Sequence, residues 1–151
     1  MPDANITKLA LADSLKKLMA KKAFSKIRVD DIASACGLTR QSFYYHFKDK
    51  YDLVNWIFYT ELILTIRDLP NENLKMLEKT CEYFYRNKVF YKNAFEVKGQ
   101  NSFSEYFIEV IQPILKIQLS EIFKNKKNVD FYATFYADGI RVSISRWLME
   151  D

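Results

Sequence analysis

Glycine and proline occur only three times each in this 151-residue chain, and long stretches carry neither. That scarcity excludes an all-β design, whose tight turns depend on both residues, and favours helices running between a few breaks. Histidine is rarer still, with His46 alone, and the two cysteines, Cys36 and Cys81, are far apart with no Cys-x-x-Cys spacing. A His/Cys metal centre and a disulfide framework are therefore both disfavoured, and buried thiols in a reducing cytoplasm are expected. The N-terminus lacks an apolar signal core, and the most apolar run, Val54 to Ile66, is interrupted by Glu61. A soluble, cytoplasmic protein without a membrane span follows from that pattern. With no Gly-rich phosphate loop and no partner at useful spacing for His46 as a base, neither enzymatic activity nor a cofactor is expected.

What remains is a chain 49% apolar, enough for a folded core, read as all-α. Its net charge of +4 is unevenly placed: residues 1–60 hold ten Lys and Arg against six Asp, and residues 61–151 hold thirteen of each sign. The whole positive excess lies in the first part, as a polyanion-binding module requires, although an excess of four is also ordinary for a protein surface.

The most informative stretch is Val29 to Lys48, VDDIASACGLTRQSFYYHFK. Ile32 and Ala33 face inward from a first helix, Gly37 supplies a turn residue that tolerates positive φ, and Leu38 and Phe43 close the small core. Thr39 stands where a second helix needs an N-cap and can accept from the backbone of Gln41 or Ser42. Arg40, Gln41 and Ser42 then begin that helix with no core role. This spacing describes a helix-turn-helix whose second helix offers long polar side chains to base edges in a major groove. Phe43 and Phe47 share the buried face, while Tyr44 lies about 100° round and can bring its hydroxyl to a phosphate. His46, without acidic or thiol partners, reads as a phosphate-facing or packing residue; Tyr45 is left open between the same roles.

The run TRQSFYYHFKDKYDL at Thr39 to Leu53, following IASACG, resembles the DNA-binding domain of the tetracycline-repressor (TetR) family of bacterial one-component regulators. The Tyr-Tyr-His-Phe run, Lys50 and Leu53 carry the match, which covers about the first sixty residues. With YDLVNWIF, the chain is similar more narrowly to regulators of dihydroxyacetone kinase operons. The resemblance implies a DNA-binding domain over residues 1–50 and a helical regulatory and dimerisation domain over 51–151. It places Tyr44, His46 and Lys50 near the DNA backbone. It also implies a homodimer on a roughly palindromic duplex and control by a small-molecule effector or a separate kinase-like protein coactivator. Family members commonly continue past Met149 through a further turn and helix, so the bundle is expected to be short of the last family helix.

Outside the motif, Leu11, Leu15, Leu18 and Met19 recur at helical spacing over Ile6 to Lys22, with residues 1–5 expected to fray. Phe24, Ile27 and Val29 tie the next loop into the core, and Asp30 and Asp31 complement the dipole of the following helix. Asp49 is a second N-cap, with Asp52 completing a box-like pair. Lys50 at that helix start is expected to meet a phosphate. The helix through Ile63 is apolar on several faces and must be buried on several sides. Leu69-Pro70-Asn71 is the expected boundary, with Asn71 a cap. Further helices are expected to about Arg86, over Val89 to Phe95, from Ser102 to Phe123 with a bend at Pro113, and from Val129 to Met149. Asn125 to Asn128 is a polar turn.

Aromatics crowd the later part, from Tyr83 to Tyr136. They suit an effector cavity, a core or a dimer interface, with the last two favoured on spacing. Arg141 and Arg146 are expected to form ion pairs. The function expected is a sequence-specific DNA-binding regulator using Thr39, Arg40, Gln41, Ser42, Tyr44, Tyr45, His46 and Lys50 on double-stranded DNA. The alternative is a helical module whose main role is docking a protein partner.

Overall fold

The computed structural model describes residues 2–67, 73–123 and 126–150. In chain order the helices are α1 (Pro2–Met19), α2 (Val29–Ala35), α3 (Arg40–His46), α4 (Lys50–Phe58), a π-helical turn (Tyr59–Ile63), α5 (Leu64–Arg67), α6 (Asn73–Arg86), α7 (Lys88–Glu96), α8 (Phe103–Ile122) and α9 (Val129–Met149). Single 3-10 turns stand at Phe24–Lys26 and Lys126–Asn128, and no strand occurs among the described residues. The fold is all-α, as expected. It divides into two compact units, Met1–Ala94 and Phe95–Asp151. The expected cap at Asn71 and the Leu69-Pro70 break lie outside the described residues, as does Asn125 of the polar turn.

In the first unit, α1 begins at Pro2, earlier than the expected fraying allows, because proline fits the first turn of a helix where its missing N–H is not needed. Its apolar stripe, Leu11, Leu15 and Met19, is fully enclosed and packs under the motif with Ile27, Ile32, Phe43 and Phe47. Ser14, itself buried, donates its hydroxyl to the carbonyl of Ile32 at 2.6 Å and so pins α1 to α2. The helix from Lys50 is buried on several sides, with Leu53, Val54, Ile57, Phe58, Leu62, Ile63 and Ile66 all enclosed. It is not one continuous α-helix. At Leu64 the backbone N–H reaches back five residues to the carbonyl of Tyr59, the signature of a π turn.

Later in this unit, Phe84, Phe90 and Tyr91 pack as core, with Tyr91 edge-on to Phe84 and to Phe90 at centroid distances of 4.8 and 4.9 Å. In the second unit Phe95, Phe103 and Phe107 form a comparable cluster. These aromatics are core, one of the two readings favoured on spacing. Ser102 caps α8 by accepting from the Glu105 N–H. The helices α8 and α9 run antiparallel, held by Gln112 donating to the Thr134 hydroxyl at 2.8 Å and by Lys116 paired with Asp130 at 2.6 Å. Ala133, Ala137, Ile144 and Leu148 form the buried side of α9, while Phe131, Phe135, Tyr136, Val142 and Trp147 are exposed. Arg141 lies 3.9 Å from Asp138, as an ion pair within the helix.

Candidate nucleic-acid interface

The motif is held by local chemistry at each joint. α2 ends in a two-bond reversal: the Leu38 N–H donates to Ala33 at 2.9 Å and the Gly37 N–H to Ser34 at 3.1 Å. Gly37 sits at φ +73°, a conformation that costs side-chain-bearing residues energy, so the turn between the helices selects glycine there. Leu38 is only half-buried, less than its expected core role. The Thr39 hydroxyl accepts from the Ser42 N–H at 3.1 Å and starts α3. Asp49 does the same for α4, accepting from the Asp52 N–H at 2.8 Å. The Asp52 carboxylate in turn accepts from the Lys48 N–H, one residue earlier than a standard capping box would use.

With both helices fixed, Phe43 and Phe47 are buried while Thr39, Arg40, Gln41, Tyr44 and Tyr45 are exposed. Tyr45 is 85% exposed. Ser42 and His46 are half-buried, and His46 stands edge-on to Tyr45 with ring centroids 5.1 Å apart. Seven of the eight expected site residues thus lie on α3 and its cap, five of them exposed and Ser42 and His46 half-buried.

Arg40 is not idle on that surface. Its guanidinium lies 3.4 Å from the Asp30 carboxylate of α2 and loosely donates to the Tyr44 hydroxyl at 3.5 Å. The same group covers the Tyr44 ring at 5.5 Å. Tyr44 first, then Asp30, holds the guanidinium pKa above its ordinary value. Asp31, the other acid of α2, is engaged differently: it accepts from the Arg28 N–H at 2.9 Å and from Lys22 at 3.0 Å. The Arg28 backbone N–H and then the Lys22 ammonium lower the carboxyl pKa.

Lys50 departs from expectation. Its ammonium turns into the protein and donates to the carbonyls of Phe24 and Ile27, each at 2.8 Å, and to that of Ser25 at 3.4 Å. An ammonium has three donors, and all three are used here. The charge also stands 4.6 Å above the Phe24 ring, and burial lowers its pKa. This geometry does not present Lys50 to a phosphate; it closes the turn between α1 and α2 against the start of α4. Local sequence could not show this, because the acceptors lie more than twenty residues upstream. Lys8 was likewise missed: it stands over the rings of Phe47 and Trp56 at 5.7 and 5.8 Å. Both cysteines are free thiols and only half-buried, less enclosed than expected, and burial raises the Cys36 pKa.

A capped reading helix with a polar, solvent-facing start, carried on a three-helix support, defines a helix-turn-helix DNA-binding protein. Residues 11–57 match the family described as bacterial regulatory proteins, tetR family, and residues 71–151 match a transcriptional regulator C-terminal region of the same kind. The chain belongs to the TetR family of transcriptional regulators. It is 28% identical over 138 residues to the HTH-type dhaKLM operon transcriptional activator DhaS of Lactococcus lactis subsp. lactis (strain IL1403), across 87% of this chain and 69% of that protein. Its fold is similar to the solved structure of a dihydroxyacetone kinase operon activator DhaS, with a TM-score of 0.69 and 23% identity, over 95% of this chain and 85% of that one. Among the described residues no helix is long and apolar enough to cross a membrane.

Proposed function

We propose that this regulator binds a roughly palindromic operator as a homodimer, each copy laying α3 into a major groove with half-site centres about 34–36 Å apart or a little farther. Arg40 reads a base, guanine being the best geometric match for a guanidinium, with Gln41 and Ser42 contributing. Thr39, Tyr44, Tyr45 and His46 set the register on phosphates. Lys50, with its donors occupied, is left out of the phosphate set. Residues 1–50 are the DNA-binding part, and residues 51–151 carry regulation and pairing. The observation that carries this reading is the exposed, capped, polar first turn of α3 above a buried core. The exposed ridge of Phe131 and Phe135, stacked at 6.2 Å on α9, supports pairing through the last two helices, since such a ridge is unfavourable in water.

By analogy with the relative described as a dhaKLM operon activator, the target is a promoter governing a dihydroxyacetone kinase operon, and control comes from a small molecule or a kinase-like protein coactivator. Selection of duplexes from a random pool by the purified chain tests the first part. A palindromic consensus supports it, and recovery of unrelated sequences refutes it. Co-purification of a kinase-like protein then supports coactivator control, whereas a thermal shift by a metabolite alone supports a direct effector.

A further inference from the structure

A chain of polar side chains links several helices of the first unit. Glu61 sits within the π turn, and its carboxylate is divided between two helices. One oxygen pairs with the Lys16 ammonium of α1, and the other accepts from the Tyr83 hydroxyl of α6 at 2.9 Å. The Tyr83 hydroxyl also meets that of Tyr91 on α7. Tyr83 has a single hydroxyl hydrogen, which the acceptor-only carboxylate takes, so Tyr91 is the donor between the two phenols. Tyr91 is wholly enclosed, and its ring already packs on Phe58, Phe84 and Phe90, work that a phenylalanine would do as well. Its hydroxyl adds the link towards Glu61. One turn beyond Lys16, the Met19 carbonyl near the end of α1 accepts from Asn93 of α7 at 2.9 Å. The second half of α1 is therefore held from α6 and α7 at two points. α1 in turn carries α2 through the Ser14 to Ile32 hydrogen bond.

We propose that Glu61 is a positioning residue for DNA binding: by sharing one carboxylate between Lys16 and Tyr83, it sets the placement of α1 and the reading motif according to the packing of α6 and α7. The π turn is the local device that makes this possible. One extra residue in the turn brings Glu61 to a half-buried position while Leu62 and Ile63 stay in the core. A displacement of α6 or α7 that withdraws the Tyr83 hydroxyl leaves one carboxylate oxygen unpaired. The carboxylate is then free to turn, and its hold on Lys16 loosens. Coupling of this kind needs two groups competing for or sharing one acceptor, which the Glu61 geometry supplies.

The inference rests on the DNA-binding function, and its test has one arm that needs no DNA. Lys16→Met and Tyr83→Phe, singly and together, are compared in the full chain for affinity to a duplex selected by the parent protein, and the cycle is repeated with Glu61→Gln. Each single change is expected to weaken binding by about threefold to tenfold, with the pair weakening it clearly less than the product and with that non-additivity vanishing in Glu61→Gln. The salt dependence of binding should stay as in the parent, since Lys16 acts on Glu61 and not on a phosphate. In the DNA-free protein, Tyr83→Phe should speed amide exchange in residues 29–46. Strict additivity together with unchanged exchange overturns the proposal, as does a Lys16→Met defect expressed wholly as a reduced salt slope.

Discussion

Asp30 and Arg40 face each other across the turn of the helix-turn-helix, carboxylate to guanidinium at 3.4 Å, one from each helix of the motif. Both are more than half exposed, so the pair contributes little to stability. Its importance is directional: the guanidinium is stacked on Tyr44 and drawn towards α2 before any base is present. On the proposed reading, binding to guanine would exchange one partner for another.

Arg40→Ala should cost on the order of 1–3 kcal/mol on the preferred duplex and flatten the preference at one base pair of each half-site. Asp30→Asn should act in the other direction on unrelated sequences, tightening them by removing a negative charge near the backbone, and so lower the specificity ratio. Fluorescence anisotropy across a set of singly substituted duplexes measures both. An Arg40→Ala protein with an unaltered base preference removes Arg40 from the reading role.

Lys50→Met should lower stability by about 1–3 kcal/mol, because three carbonyls lose their donor at the joint between the α1–α2 turn and α4. The slope of log affinity against log salt should not change. A residue bound to phosphate behaves differently, losing about one from that slope on substitution. Urea unfolding and salt-titrated binding, made on the same protein, separate the two roles.

Alkaline stability follows from the two linked phenols. Burial first, with the Glu61 charge adding to it, raises the pKa of Tyr83 and of Tyr91 above the ordinary value of 10.0. Above about pH 10 the unfolded chain releases these protons and the folded chain keeps them, so the unfolded state binds fewer protons and stability falls as pH rises. The decline attributable to each phenol approaches about 1.4 kcal/mol per pH unit. Below that pH neither phenol contributes any slope. Tyr83→Phe should remove one phenol's share. Of the ten tyrosines, those at 83 and 91 should show phenolate absorbance only as the protein unfolds.

Phe135→Glu places a charge on the exposed α9 ridge without touching the buried Ala133 and Ala137 side of that helix. The variant is expected to remain helical and to sediment as a monomer, with operator affinity reduced at least tenfold because two half-sites are no longer held by one particle. A variant that stays dimeric in sedimentation equilibrium would falsify the assignment of that ridge to pairing.

The parts legible from the chain were those written locally. Gly37 needs only its own φ, Thr39 and Asp49 cap backbones three residues on, and the alternation of Phe43 and Phe47 with exposed neighbours follows helical period alone. The α7, α8 and α9 spans were legible for the same reason, within a residue or so at their ends. Lys50 was misread because its position at a helix start suggests an anion, while its actual partners are carbonyls contributed by a turn far upstream. Asp30 was read as a dipole-complementing acid, and its contact with Arg40 depends on the angle between two helices, which spacing does not give. The Glu61 cluster was invisible for a related reason: Lys16, Glu61, Tyr83 and Tyr91 meet only after four separate segments have packed.

The π turn carries one further consequence, for how side chains along this stretch are to be aligned. Holding an additional residue between Tyr59 and Ile63, it offsets everything downstream by about 100° relative to an unbroken α-helix. A single helical wheel drawn from Lys50 to Arg67 superimposes sides of the cylinder that do not coincide in space. Excising one residue from this interval would restore ordinary α-helical winding and leave Ile66 facing the interior, because the residue lost and the offset lost cancel.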